Sequence, residues 1–340
     1  MGMDSYQKNI LAFAKQLGPK GLAIKNFGAL RGTRPDALVV CGMGGSGLAG
    51  DIFQNLRFEL GVTSPIIIWK NYGLPKLPGE IKKPLYVFVS FSGGTEETIS
   101  GLAGLLKTQS LRIGARIAVI TTGGKLKRLA EERGLPLVAF EAGTLTPRQA
   151  VGRMFYALAE VMHATHLITR RPPIFTRLVP RAFASAGKHL AAGLKNQLLA
   201  IYTSEASRHI GYLWKIKFNE TAKVQAFANV LPEMDHNELT AFDTPPKVRA
   251  IKTAAIFLKD GAVTGRLAKK FRVTEKLIRK SGAHVVTLNL PGHSGLEKTW
   301  RSLILVDWAS YFLGRANGIP EAEFNTVNPG IVGGLKKMMN

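Results

Sequence analysis

Only one cysteine, Cys41, occurs in the 340 residues. That rules out an internal disulfide and a cysteine cluster for zinc, and it fits a reducing compartment, so a cytoplasmic protein is expected. Acidic side chains are also scarce: 23 Asp and Glu stand against 46 Lys and Arg, a net charge of +23, and a surface of that sign attracts anions. Nowhere do 18 uncharged apolar residues run together, and Asp4 and Lys8 interrupt the first stretch, so neither a signal peptide nor a membrane span is expected. The basic residues are scattered, with no basic arm and no strip in which bases alternate with aromatics. Nucleic acid and membrane are accordingly not the expected partners. No H-x-x-x-H segment is present, and no metal cofactor is implied.

Apolar material, by contrast, is ample at 46%, enough for about two domains at this length. Short runs rich in Val and Ile, at 37–41, 65–69, 85–90, 117–121 and 136–140, alternate with helix-length amphipathic stretches. That grammar is the mark of an α/β fold with a doubly wound parallel sheet, whose strands are apolar throughout because helices cover both faces. After a helix over 150–164 come Arg170-Arg171-Pro172-Pro173 and Pro180, which disfavour helix. The alternation then resumes, with strands over 198–203, 253–258 and 284–288, helices over 205–217, 264–281 and 297–314, and a turn-rich 318–330. Two similar subdomains are expected, residues 1–165 and 166–340.

Two loops carry the chemistry. Gly42, Gly44 and Gly47 spell G-x-G-x-x-G between a strand and a helix, but the acidic residue that a dinucleotide ribose needs at the end of the next strand is replaced by Lys70. No G-x-x-x-x-G-K-[ST] occurs either. The second loop, Ser90-Phe91-Ser92-Gly93-Gly94-Thr95, again closes a strand and opens a helix. Unpartnered amides and the positive end of the helix dipole lie at such an opening, so hydroxyls and glycines there can hold a phosphate monoester without metal. A capping role accounts for Thr95; it leaves Ser90 and Ser92 unexplained.

At this point the chain resembles a known family. SFSGGTEET is similar to the sugar-phosphate loop of the sugar isomerase (SIS) fold, and GMGGSGLAGD to the first glycine-rich turn of its archaeal-type bifunctional phosphoglucose/phosphomannose isomerases. Trp214-Lys215, Asn219-Glu220-Thr221-Ala222-Lys223 and Leu231-Pro232-Glu233-Met234-Asp235-His236-Asn237-Glu238 follow in that branch's order, as do Thr146-Pro147-Arg148, Asp307-Trp308 and Leu335-Lys336. The resemblance implies two SIS-like subdomains, each a parallel sheet flanked by helices, with a C-terminal helix returning to the active site. It implies interconversion of glucose 6-phosphate, and of mannose 6-phosphate, with fructose 6-phosphate through a cis-enediolate, without cofactor.

What it implies for residues is specific. Glu220 takes the place of the proton-shuttling base, a role for which an enclosed carboxylate is suited. His236 is similar to the ring-opening histidine, which in this fold reaches the site from the partner subunit of a homodimer. Arg148 resembles the arginine beside the enediolate, a permanent cation where charge develops, and Pro147 marks a helix start. Lys336 resembles the near-terminal lysine that assists ring opening. Gly45, Ser46, Gly47, Ser90, Ser92 and Thr95 make up the implied phosphate cradle. One departure concerns mannose: the threonine that precedes the terminal lysine in this branch aligns with Thr326 only after a shift, within Asn325-Thr326-Val327-Asn328-Pro329.

Two other classes stay open on the residues alone. A non-catalytic sugar-phosphate sensor of the same fold would normally carry a helix-turn-helix, for which the stretch ahead of residue 37 is too short. A nucleotide-dependent oxidoreductase would use Gly42, Gly44 and Gly47, and Lys70 argues against NAD.

Overall fold

A computed structural model describes residues 2–107, 116–243, 251–326 and 330–339, without the side chains of Lys336, Lys337 and Met339. The chain folds into two compact units: Ala12–Arg177 with Gly330–Asn340, and Leu178–Pro329 with Met1–Leu11. The division thus falls at 177/178 rather than after residue 165, and each chain end belongs to the unit formed by the other half of the sequence.

In the first unit, strands β1 (Ala23–Lys25), β2 (Ala37–Cys41), β3 (Ile66–Trp69), β4 (Pro84–Ser90), β5 (Arg116–Thr121) and β6 (Leu137–Ala139) form a sheet in the order β1-β6-β5-β4-β2-β3. Every pairing is parallel except β1 with β6. The parallel sheet that the sequence predicts therefore carries one antiparallel edge. β1 escapes sequence reading because it is three residues long and exposed on every one, so it has no apolar pattern to see. Helices α2 (Gly44–Asn55), α3 (Glu96–Lys107), α4 (Gly124–Glu132) and α5 (Val151–Ala164) follow the strands. On one face Val39, Phe88 and Val119 pack with Leu102, Leu105 and Leu126 of α3 and α4. On α2 and α5, Phe53 stacks on Phe155 at 4.4 Å.

The second unit has β7 (Leu198–Ser204), β8 (Ala226–Leu231), β9 (Thr253–Lys259) and β10 (His284–Asn289), all parallel, in the order β10-β9-β7-β8. Around them lie α1 (Ser5–Leu11), α6 (Ala184–Leu194), α7 (Arg208–Lys217), α8 (Gly265–Lys280) and α9 (Gly295–Ala316). Three of these elements go beyond the sequence reading, the short helix α1 among them. β8 is an edge strand with Phe227 exposed, and α6 follows a short 3-10 turn that Pro180 opens. The basic end, Leu335-Lys336-Lys337, lies on a further helix, α10 (Gly330–Met339), which belongs to the first unit. Among the described residues, no helix is long and apolar enough to cross a membrane.

Candidate active site

Numbered within its own unit, the parallel part of the six-stranded sheet runs 2-1-3-4-5, so the strand order reverses between β2 and β4. Open α/β sheets bind ligands outside the carboxyl ends of the strands at that reversal. Both candidate loops are there: β2 runs into Gly42–Gly47 and β4 into Ser90–Thr95.

The loops are tied to each other. Phe91 N–H donates to Ser46 Oγ at 3.0 Å, and a hydroxyl that accepts one bond keeps its own proton to donate. Met43, at the N-cap of α2, makes no side-chain capping bond, so no side-chain cap competes for the first-turn amides. Gly45 is where the chain 146–148 closes in: a Cβ there would sit 2.9 Å from Arg148 N and from the Pro147 carbonyl carbon. Arg148 is buried, at 3% exposure. It sits in a turn closed by Gln149 N–H and Ala150 N–H on the Thr146 carbonyl, and α5 begins only at Val151. Pro147 therefore opens a turn ahead of the helix, not the helix itself.

The hydroxyl residues of the second loop have different surroundings. Ser90 is fully buried; its Oγ accepts from Gly93 N–H at 3.1 Å and shares a 2.8 Å hydrogen bond with Thr95 Oγ1. Ser92 is exposed and accepts from Gly94 N–H at 3.3 Å. Ser90 and Thr95 shape the loop from beneath, and Ser92 and Gly94 form its open rim. Nearby, Lys70 Nζ pairs with Asp51 at 2.8 Å, so the cation that replaces a ribose-binding acid is engaged with a carboxylate on α2. Burial pushes the Asp51 carboxyl up, against the lowering effect of Lys70. Burial also pushes the Cys41 thiol up to about 12, which removes it as a nucleophile.

The four-stranded sheet repeats the order as 2-1-3-4, with its reversal between β7 and β9. Its strand ends hold an anion of the chain's own. Asp260 accepts from Lys298 Nζ at 2.6 Å, Ala262 N–H at 2.9 Å and Ser207 Oγ at 3.3 Å. Burial raises its carboxyl, and these donors together outweigh burial and hold it below the usual range. A phosphate is thus disfavoured at this second reversal by like charge.

Glu220 lies elsewhere in this unit. The last turn of α7 widens into a π turn, Phe218–Ala222, which carries Glu220 half-buried and ends at Lys223 with φ +54°. Asn219 explains its own place in the motif: its Oδ1 accepts from Ala226 N–H at 2.7 Å, and its amide donates to the Ala226 carbonyl at 3.3 Å. The turn is thereby fastened to the first residue of β8. His236 follows the other end of β8, exposed in a short turn, Glu233–His236. Its neighbours hold that turn: Asp235 accepts from Thr274 at 2.8 Å and Lys270 at 3.1 Å, and Glu238 accepts from Asn229 at 2.6 Å and Tyr202 at 3.0 Å. Within one chain, then, Glu220 and His236 are parted by the length of β8, six residues and roughly 20 Å. The structure brings the phosphate loops and Arg148 together and does not bring Glu220 and His236 together. The Lys336 side chain and residues 327–329, which bear on the mannose reading, lie outside the described residues. Among the described residues no group of three or more His, Cys, Asp or Glu is gathered for a metal.

Residues 183–328 match the family described as "Bacterial phospho-glucose isomerase C-terminal SIS domain". The bifunctional phosphoglucose/phosphomannose isomerase of Aquifex aeolicus is 27% identical over 293 residues, 85% of this chain and 88% of that protein. The D-glucosamine-6-phosphate 4-epimerase of Sulfolobus acidocaldarius is 30% identical over 211 residues, 60% of this chain and 63% of that protein. Among solved structures, the C-terminal domain of glucosamine-fructose-6-phosphate aminotransferase from Francisella tularensis superposes with a TM-score of 0.67 at 13% identity, covering 93% of this chain and 97% of that one. The last likeness concerns the fold alone. The resemblance reaches beyond archaeal-type enzymes: residues 183–328 match the C-terminal SIS domain of bacterial phospho-glucose isomerases, and most of the chain is similar to bifunctional phosphoglucose/phosphomannose isomerases.

Proposed function

We propose that this protein is a metal-independent aldose–ketose isomerase that interconverts glucose 6-phosphate, and also mannose 6-phosphate, with fructose 6-phosphate. The observation that carries this reading is the pair of tied helix openings at the β2/β4 reversal, with Ser46 inside and Ser92 on the rim. Amides and hydroxyls at such openings suit a phosphate monoester. Gly45, Gly47, Ser90 and Thr95 complete the proposed cradle by shaping it.

Glu220 is the proposed base. It takes the C2 hydrogen of the open-chain aldose as a proton, the electron pair moves into a C1–C2 double bond, and negative charge appears on O1. Arg148 stabilises that charge. Proton exchange between O2 and O1, with return of the carried proton to C1, leaves the ketone at C2. His236 and Lys336 are assigned to ring opening. The separation of Glu220 from His236 along β8 supports a homodimer in which His236 serves the Glu220 of the other copy. Mannose and glucose phosphates differ where the proton leaves, so one base serves both once the open chain turns about C2–C3. The lone buried Cys41 agrees with a cytoplasmic protein.

Metal-stripped protein assayed under chelator should form fructose 6-phosphate from both aldoses. Glu220→Gln should lower kcat about 100- to 10,000-fold while still binding phosphate, and Ser92→Ala should chiefly raise KM. Undiminished turnover in Glu220→Gln would remove it as the base. The epimerase among the relatives motivates a second reading, a 4-epimerase acting on glucosamine 6-phosphate. NMR of glucosamine 6-phosphate incubated with the protein decides between them: a C4 epimer without aldose–ketose turnover would replace the isomerase reading.

A further inference from the structure

A π turn is a strained place to keep a base, because the widened ladder relaxes readily to ordinary helix unless its surroundings over-determine it. The surroundings of Phe218–Ala222 are buried and polar. Lys217, fully buried, places Nζ 2.5 Å from Asp307 Oδ1 on α9. Tyr6, also fully buried, donates its hydroxyl toward the same Oδ1 at 3.4 Å and shares a 2.9 Å hydrogen bond with Thr221 Oγ1. Lys217 lies three residues before Glu220 and Thr221 directly after it, so both flanks of the base lead to one carboxylate. At the C-cap of α9, Asn317 donates to the Ala222 carbonyl at 3.2 Å. At Gly314 a Cβ would come within 2.9 Å of the Thr221 carbonyl oxygen. Asp307 and Gly314 recur at helical spacing along one stripe of α9, which its C-cap Asn317 continues.

Tyr6 belongs to the first helix, and that helix is itself held. The Tyr6 ring stacks on Tyr311 at 5.8 Å and lies against Phe324 at 5.6 Å. Tyr311 donates to Asp4 at 2.5 Å, and Asn325 to Ser5 at 2.6 Å. We propose that Tyr6, Thr221 and Asp307 are positioning residues for the proton transfer, with α1 acting as the clamp that fixes the turn carrying Glu220. The inference rests on Glu220 being the base. None of the three needs to touch substrate; displacement of a base by about 1 Å can cost about 100-fold in rate.

Tyr6→Phe tests this with least disturbance, since it removes one oxygen and keeps both ring contacts. Its kcat for glucose 6-phosphate should fall about 10- to 100-fold with KM within about two-fold. The deuterium isotope effect with substrate labelled at C2 should rise, because proton abstraction becomes more limiting. Thr221→Val should behave alike, and Thr221→Ser, which keeps the hydroxyl, should restore turnover. A merely structural role would lower kcat in step with the folded fraction and leave the isotope effect unmoved, and that result overturns the proposal. Hydrogen exchange over residues 218–224 reads the clamp without reference to catalysis. Tyr6→Phe should speed it about ten-fold or more if local opening of the turn is what Tyr6 opposes, and equal protection also overturns the proposal. Wild-type turnover in Glu220→Gln would instead sink the assignment of the base, whatever Tyr6→Phe shows.

Discussion

Gly93 has φ +66°, and a Cβ there would lie 1.7 Å from the Gly123 carbonyl oxygen. No rotation of a side chain relieves a clash with backbone. Gly93→Ala should therefore displace the loop and cost at least about 2 kcal/mol, read as a fall in Tm together with loss of binding to inorganic phosphate by calorimetry. An unshifted Tm would mean that the loop yields to the added methyl group. Ser46 and Ser92 could be read as hydroxyls for an anion from their place between strand and helix. Ser90 could not be told apart from them, because its complete burial depends on Thr95 and Gly93 folding over it. Asn219 and Asp235 belong to the same limit: their motif was visible, but their bonds to Ala226 and Thr274 are not local in sequence.

Where helices meet, one buried histidine contributes to the response to acid. His209 on α7 is enclosed against α9, with Nε2 2.7 Å from Thr299 Oγ1. Burial pulls its pKa down to about 3, against a smaller raising effect of Asp260. The unfolded chain therefore binds a proton near the ordinary histidine value that the folded chain refuses. Its contribution to stability is full above about pH 6.5 and is lost as pH falls from there toward about 3. At ~1.4 kcal/mol per unit, about 3 kcal/mol should go by about pH 4.5. His209→Gln keeps a partner for Thr299 and removes the titration, so denaturant unfolding at neutral and acid pH should show a smaller loss for the variant. An equal loss would place the acid sensitivity elsewhere. Strands such as β2 and β4 were legible because burial on both faces makes them apolar throughout. β8 was not, because an edge strand with pattern AFANVL mixes exposed and buried residues. The π turn was not legible either, since FNETA has no composition that distinguishes it from helix.

The net charge of +23 acts on the molecule as one body. Helix α8 alone contributes seven Lys and Arg, against a single Glu275 that is buried and paired with Lys259. Such a field speeds the arrival of a dianionic substrate and also strains the compact state by self-repulsion. Raising sodium chloride from about 0.01 M to about 0.15 M shortens the screening length from about 30 Å to about 8 Å. Under that change kcat/KM for the sugar phosphate should fall several-fold while Tm rises. Insensitivity of kcat/KM to salt would show that the charge does not steer substrate.

Composition, strand periodicity and the two small-residue loops already imply an α/β chain with an anion site where strands give way to helices, because those signals are local and each needs only a few neighbouring residues. The strand order, which puts both loops at one reversal and fills the other with Asp260, arises from pairing between strands far apart in the chain. So does the gathering of Tyr6, Lys217, Thr221 and Asp307 around one turn. Pairings across some three hundred positions leave no local pattern, since they are selected by burial and charge compensation that exist only once the core has closed.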